Sequence, residues 1–297
     1  MLTINNLSKS YGDRQVIHGL NLHIPDGEIY GLLGANGAGK TTTINIICNL
    51  LKADGGEVKL NQQPISPATK KLIGIAPQEN LLYKTLTCEE NLHFFAEIYG
   101  LSRETRKKQV PETLAAVNLM DRAKSPVETL SGGMQRRLNI AVALVHQPKL
   151  VILDEPTTGL DIEARYEVWE LIRQLKHQGI TVLLTTHLLD EAERLCQKIG
   201  ILKHGRILVE GSITELRNLI PASEILVIQT TQAAAAIARA QSYGFTHRRY
   251  GNELAFWLPE QLELTEILAR FAGINIEAIA RQPVRLEHIY LEVTQNN

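Results

Sequence analysis

The stretch Gly34-Ala35-Asn36-Gly37-Ala38-Gly39-Lys40-Thr41 lies between an apolar run, Ile29, Tyr30, Leu32 and Leu33, and a segment from Thr42 to Leu51 that reads as a helix. Strand, glycine loop and helix in that order form the context a phosphate-binding loop requires. Gly34, Gly37 and Gly39 are expected to turn the backbone tightly at positive φ and to aim bare N–H groups inward, where a bulkier residue would clash. The helix starting near Lys40 adds the positive end of its dipole. Lys40 is placed to reach β- and γ-phosphates, and the Thr41 hydroxyl to ligate Mg²⁺. The expected nucleotide-binding set is therefore Gly34 to Thr41 with Thr42 beside it. The plainer alternative is a glycine turn with a solvated lysine, and the flanking strand and helix argue against it.

Working outward, 297 residues can hold one large core and a smaller unit. A hydrophobic share of 44%, a charged share of 21% and a net charge of −1 describe a folded chain with no global basic field for nucleic acid or acidic lipid. The polar start, MLTINNLSKSYGDR, lacks a signal-peptide core, and no run of about 18 apolar residues is present to span a bilayer. A cytosolic chain is expected. Cys48, Cys88 and Cys196 lack metal-site spacing and read as buried thiols.

Leu2 to Leu7 and Gln15 to Ile24 alternate apolar and polar residues, which predicts an antiparallel pair joined by the turn YGDRQ. Tyr11 in that turn is either an aromatic that stacks on adenine or an ordinary rim tyrosine. Lys71 to Ala76 predicts a buried strand that Pro77 ends, leaving Gln78 where strand gives way to loop. Thr87 to Glu90 is a capping box, and it opens a helical insertion to about residue 124. With the helix that follows, the insertion reaches 146. Leu114, Val117, Leu119 and Met120 are expected on its second apolar face, and Leu81, Leu82 and Tyr83 as apolar residues available to a partner.

Leu130-Ser-Gly-Gly-Met134 opens the next helix, with Ser131 as N-cap and with Gly132 and Gly133 leaving the first N–H groups bare for an anion. Leu150 to Leu153 is an apolar strand ending in Asp154 and Glu155, and carboxylates at such a strand end face the ligand crevice of an open α/β sheet. Asp154 would hold Mg²⁺, directly or through water, and Glu155 would accept a proton from attacking water. Two adjacent acids are otherwise a surface loop. Ile162 to His177 predicts a helix and Thr181 to Thr186 a strand, ending in His187, which is either structural or a γ-phosphate contact. The first domain, 1–221, closes near Pro221. The rest, 222–297, follows the order βαββαβ with a last helix near Leu286 to Val293, a ferredoxin-like arrangement. One face of that small sheet is expected to need cover from a second copy or from the first domain, which makes this unit regulatory or dimerising.

Taken together, GANGAGKT, Gln78, LSGGM, LVILDE, the Gly159 to Asp161 turn and His187 resemble the ATP-binding cassette family in its required order. The resemblance implies an α/β phosphate-loop cassette with an antiparallel β subdomain and a helical insertion, binding ATP and Mg²⁺. It implies Tyr11 as the adenine-stacking residue, Gln78 as the Mg²⁺ and water sensor, Glu155 as catalytic base and His187 as γ-phosphate switch. It also implies that Ser131, Gly132 and Gly133 of one subunit close over ATP held by another, in a homodimer or pseudo-homodimer. Met134 stands where glutamine is more usual. A single cassette with this tail looks like the drug, polysaccharide and lipid exporter ATPases, working on a transmembrane permease subunit at the cytoplasmic face of the cell membrane, with no nucleic acid expected. The competing class is a soluble cassette ATPase acting on nucleic acid or ribosomes.

Overall fold

The computed structural model describes residues 1–251 and 253–295. Strands β1 (Leu2–Tyr11) and β2 (Arg14–Ile24) form a hairpin whose two-residue turn, Gly12 and Asp13, uses a glycine at φ 59°. Tyr11 is the last residue of β1, paired with Arg14, and not a turn residue as expected. The all-buried β3 (Ile29–Leu33) follows, then α1 (Lys40–Ile47), β4 (Gly55–Leu60) and β5 (Gln63–Pro64). An antiparallel sheet of order β2-β1-β4-β5 results.

The chain continues through α2 (Pro67–Lys70), β6 (Ile73–Ala76), α3 (Cys88–Ile98), α4 (Arg103–Ala116), α5 (Gly132–Leu144), β7 (Leu150–Asp154), α6 (Ile162–His177), β8 (Thr181–Thr186), α7 (Leu189–Leu195), β9 (Lys198–Lys203), β10 (Arg206–Gly211) and α8 (Ile213–Arg217). A second sheet has order β10-β9-β3-β8-β7-β6, with the five strands from β9 to β6 parallel and β10 antiparallel at the edge. Parallel strands place their carboxyl ends on one side. The segments after β3, β6, β7 and β8 therefore emerge together, and ligands of open α/β sheets bind outside such ends.

Between β6 and β7 the chain is helical. The capping box at α3 is formed, with the Glu90 N–H donating to Thr87 Oγ1 at 3.2 Å and the Thr87 N–H to Glu90 Oε2 at 2.8 Å. Helix α4 passes through Pro111, whose missing N–H leaves the Lys107 carbonyl without its helical donor on a solvated face. Leu114, Val117 and Leu119 are buried as expected, but Met120 is exposed, because a 3₁₀ turn at Met120–Arg122 rotates it off the apolar face.

The chain divides into compact units 1–213 and 214–297. The second contains β11 (Glu224–Gln229), α9 (Ala233–Ser242), β12 (Thr246–Tyr250), β13 (Glu253–Leu258), α10 (Leu264–Arg270), β14 (Ala278–Gln282) and α11 (Leu286–Gln295). Residues 296–297 of the expected C-terminal domain lie outside the described residues. Its four strands pair antiparallel in the order β12-β13-β11-β14. The last strand starts four residues later than the apolar run from Ile274 suggests, because Ile274 and Ile276 pack into the core before the ladder begins. Leu226, Ile228, Leu254, Phe256 and Leu258 face the core that includes Ala236, Ala240, Ile267 and Phe271. The alternate residues Ile225, Val227, Ala255 and Trp257 are also buried. On that second face Arg248 stacks over Trp257 at 4.4 Å and binds Glu292 of α11 through two bonds of 2.9 and 2.8 Å, and Tyr250 meets His288 of α11. Part of the cover that this face was expected to need from a second copy or from the first domain thus comes from α11 of the same chain.

Candidate active site

The loop after β3 is shaped by three different glycine requirements. Gly37 and Gly39 lie at φ 79° and 113°, conformations that L side chains rarely adopt. Gly34 does not have a positive φ, contrary to expectation; its constraint is space, since a Cβ there would meet the Leu202 carbonyl at 2.6 Å. Ala38 is buried and donates its N–H to the Ala35 carbonyl at 3.1 Å, closing the turn. Helix α1 starts at Lys40 with no side-chain cap, so its first-turn N–H groups depend on a ligand or water. Ala35, Asn36, Gly37, Gly39, Lys40, Thr41 and Thr42 line a cavity of about 370 Å³, together with Tyr11, Arg14, Val16, Gln78 and Glu155. Gly34 and Ala38 shape the loop from behind it.

Lys40 is 6% exposed and folds back, donating to the Gly34 carbonyl at 2.6 Å and pairing with Glu155 Oε1 at 3.4 Å. Glu155 is the most constrained residue of the site. It is buried, its backbone sits at φ 47°, and its N–H donates to the Thr185 carbonyl at 2.9 Å. A non-glycine residue held at positive φ is a strained position that only a surrounding structure maintains, and such positions cluster at functional sites. Its Oε2 meets three groups: Gln78 Nε2 at 3.2 Å, Thr158 Oγ1 at 3.2 Å and His187 Nδ1 at 3.1 Å. Burial pushes the carboxyl up, but the His187 bond and charge, Lys40 and the Thr158 bond outweigh it and hold it below the ordinary glutamate value. Asp154, also buried, accepts from the Thr185 hydroxyl at 2.5 Å. The two acids are therefore not a surface loop.

Gln78, Asp154, Glu155 and His187 come from three strand ends, and the hydrogen bonds above link Gln78, Glu155 and His187 directly. Tyr11 is half exposed at the cavity rim. Ser131, Gly132 and Gly133 do not line this cavity. Ser131 caps α5, accepting the Met134 N–H at 3.3 Å, and it and Gly132 are exposed. A Cβ on Gly132 would meet nothing within 4 Å, whereas one on Gly133 would meet Ala164 Cβ at 2.6 Å, so Gly133 also serves packing against α6.

Three residues escaped the sequence reading. Thr158 and Thr185 hold the two carboxylates, and Arg136 of α5 is buried with its guanidinium spread over main-chain carbonyls: Asp154 at 2.7 Å, Pro156 at 2.8 Å and Pro77 at 2.5 Å. Burial lowers its pKa to about 10, against the carboxylates of Asp154, Glu191 and Glu155. Arg136 lies five positions after Ser131 on the same helix. Arg137 beside it is buried as well, and nothing in the sequence says which of the two reaches the strand ends.

A phosphate-binding loop, a buried carboxylate pair and a glycine-opened helix on one parallel sheet define a nucleotide-hydrolysing cassette. Residues 17–158 match the family model described as ABC transporter. The chain is 37% identical over 305 residues to the linearmycin resistance ATP-binding protein LnrL of Bacillus subtilis, covering 99% of this chain and 98% of that one. It is 37% identical over 304 residues to a Nod factor export ATP-binding protein I of Sinorhizobium fredii, covering 99% of this chain and 85% of that one. Both alignments take in nearly the whole chain. Among solved structures, a dimeric ATP-binding cassette in a post-hydrolysis state bound to ADP and Pi is similar with TM-score 0.64 and 30% identity, covering 71% of this chain and 98% of the other. CbiO1 of Clostridium perfringens, described as part of an ABC transporter complex, is similar with TM-score 0.67 and 29% identity, covering 71% and 88%. The chain belongs to the ABC transporter family, as an ATP-hydrolysing, ATP-binding subunit.

Proposed function

We propose that this subunit drives a separate transmembrane permease, in the export direction, through ATP-dependent closure of two cassettes, and that Glu155 is the general base of hydrolysis. The observation that carries the assignment is the convergence of Lys40, Gln78, Thr158 and His187 on one buried, strained carboxylate. A carboxylate held ionised beside the phosphate loop is ready to take a proton from water. Lys40, whose present partners are Gly34 and Glu155, would turn to the β- and γ-phosphates; His187 would contact the γ-phosphate and Gln78 would sense the attacking water. Tyr11 at the rim would stack on adenine.

Thr41, Gln78 and Asp154 suit Mg²⁺. No group of three or more His, Cys, Asp or Glu among the described residues is arranged to hold a metal. That donor set fits a hard cation taking most of its oxygens from phosphate and water. When bound, the ion neutralises charge on the phosphoryl oxygens. Ser131, Gly132 and Gly133 would serve ATP held by the other cassette of the pair.

Export is favoured because relatives aligned over nearly the whole chain are named for linearmycin resistance and Nod factor export. The soluble reading, a cassette acting on nucleic acid or ribosomes, finds no support in a net charge of −1. No described helix is long and apolar enough to cross a membrane, and we place the subunit peripherally at the cytoplasmic face. Leu81 and Tyr83 are exposed just beyond Gln78, Phe94 of α3 is exposed against the Tyr83 ring at 4.8 Å, and Asn91, itself fully buried, anchors the Tyr83 backbone through bonds of 2.9 and 3.0 Å. Such a rigid apolar patch suits a permease contact. To the C-terminal domain, which we take as residues 222–297 within the unit 214–297, we assign a ferredoxin-like fold on its strand order and a regulatory or dimerising role.

Glu155→Gln tests the reading. It should bind ATP normally, lose roughly 10²- to 10⁴-fold in turnover, and accumulate as a closed dimer with ATP on gel filtration. Near-normal hydrolysis would remove Glu155 as the base.

A further inference from the structure

Two of the three groups on Glu155 Oε2, Thr158 and His187, stand on segments that a second buried glutamate joins. Glu191, fully buried in α7, accepts the Thr157 hydroxyl at 2.7 Å and the Trp169 indole N–H at 3.0 Å, both on Oε1. Thr157 is fully buried and is the neighbour of Thr158. Helix α7 starts two residues after His187. Trp169 belongs to α6, and the same α6–α7 seam carries Arg165 with Asp190 at 3.7 Å and Arg194 over the Trp169 ring at 5.4 Å. A buried carboxyl with two donors on one oxygen fixes the spacing of the three segments that supply them, because leaving either donor unpaired in the core is costly.

We propose that Glu191 is a positioning residue for hydrolysis: through Thr157 and Trp169 it holds the loop bearing Thr158 and the helix following His187 in the register that keeps both on Glu155. Glu191 does not itself line the nucleotide cavity. Its influence falls on turnover and leaves ATP affinity alone. The inference rests on Glu155 being the base. Burial pushes the Glu191 carboxyl up, and its hydrogen bonds oppose this only in part; an amide at this position keeps a carbonyl oxygen able to accept from both Thr157 and Trp169.

The test uses the full chain and reads kcat, ATP affinity and Tm together. Glu191→Leu should lower kcat by roughly 10- to 100-fold, the loss that one or two buried hydrogen bonds carry, with ATP affinity within about threefold. Glu191→Gln should recover most of the rate. Because Glu191→Leu endangers folding, Thr157→Val and Thr157→Ser decide the matter independently: the first is nearly isosteric and removes only the donor, the second keeps it. Thr157→Val should reduce kcat and Thr157→Ser restore it. A wild-type kcat in Thr157→Val, a fall in ATP affinity matching the fall in rate, or a failure of Thr157→Ser to rescue would overturn the proposal. A parallel Glu155→Gln measurement separates the two readings: if that variant hydrolyses normally the base assignment fails, whereas an inactive Glu155→Gln beside a fully active Thr157→Val sinks the positioning role alone.

Discussion

Two helix N-termini in this molecule share one local chemistry and have been built for different company. Helix α1 follows a glycine-rich turn and α5 begins on two glycines, and both offer first-turn N–H groups to an anion. At α1 the surroundings close in: Gly39 sits at φ 113° against Ile17, Lys40 is buried and tied to Gly34 and Glu155, and the strand-end carboxylate faces the loop. At α5 Ser131 and Gly132 are exposed, and Gly132 has neither a positive φ nor any neighbour within 4 Å of a Cβ. Among the described residues nothing requires glycine at that position. A glycine without an internal reason is explained by a surface that approaches from outside, which is the physical content of the proposal that α5 serves a nucleotide on another cassette.

Ser131→Arg would break the comparison most sharply. If Ser131 serves the other subunit's γ-phosphate, the variant should bind ATP as the unmodified protein does and lose roughly 10²- to 10³-fold in hydrolysis, as when a transition-state donor is removed. A measured loss of nucleotide affinity in proportion to the rate would mean instead that α5 acts within its own chain.

A pair of glycine substitutions sharpens the same contrast at smaller scale. Gly39→Ala places a Cβ at a backbone conformation only glycine holds cheaply, which costs about 1–3 kcal/mol; nucleotide affinity should fall by roughly 5- to 150-fold. Gly132→Ala lies at an open, helical first-turn position where alanine is favoured over glycine by up to about 1 kcal/mol. It should bind ATP normally and keep or raise Tm while slowing hydrolysis. Equal loss of binding in both variants would erase the distinction between the two sites.

The same contrast explains what the sequence could and could not disclose. The α1 loop, Asp154, Glu155 and His187 were legible because each sits at the end of an apolar strand, so the local pattern states both the element and its exit point. Thr185 and Thr158 were not, since a threonine in a β-branched strand or in a turn looks alike whether or not a carboxylate waits across the sheet. Arg136 was illegible for a related reason: it and Arg137 are adjacent on α5, both are buried, and only the folded structure shows one on the Asp154 carbonyl and the other on the Val117 carbonyl. Gly34 was read as a conformational glycine and is a steric one, because the carbonyl it avoids belongs to Leu202 in β9. In the second unit the succession of strands and helices could be read from alternation. The cover on its outer face could not, because the partners Arg248 and Glu292 are 44 residues apart.

The smallest expected effect lies at the other end of α5, where the helix is as locked as its start is open. His146 stacks on Tyr99 with ring centroids 3.7 Å apart and has Nε2 3.1 Å from the Ile73 carbonyl, so with that nitrogen assigned as donor it joins α5, α3 and β6. Burial lowers its pKa, and the bond to Ile73 only partly opposes this. The sign follows from proton counting: between the depressed folded value and an unfolded value of about 6.5, the unfolded chain binds more protons, so stability rises with pH across that window. The contribution is present above about pH 6.5 and is lost as pH falls toward the folded value, by at most about 1.4 kcal/mol for each unit of depression. His146→Phe keeps the stack and removes the titration. Its thermal midpoint should therefore start lower at pH 7.5, for want of the Ile73 hydrogen bond, and fall less than that of the unmodified protein on going to pH 5.5. Identical falls in the two proteins would show that His146 takes up its proton without strain, and that the closed end of α5 owes nothing to a neutral imidazole.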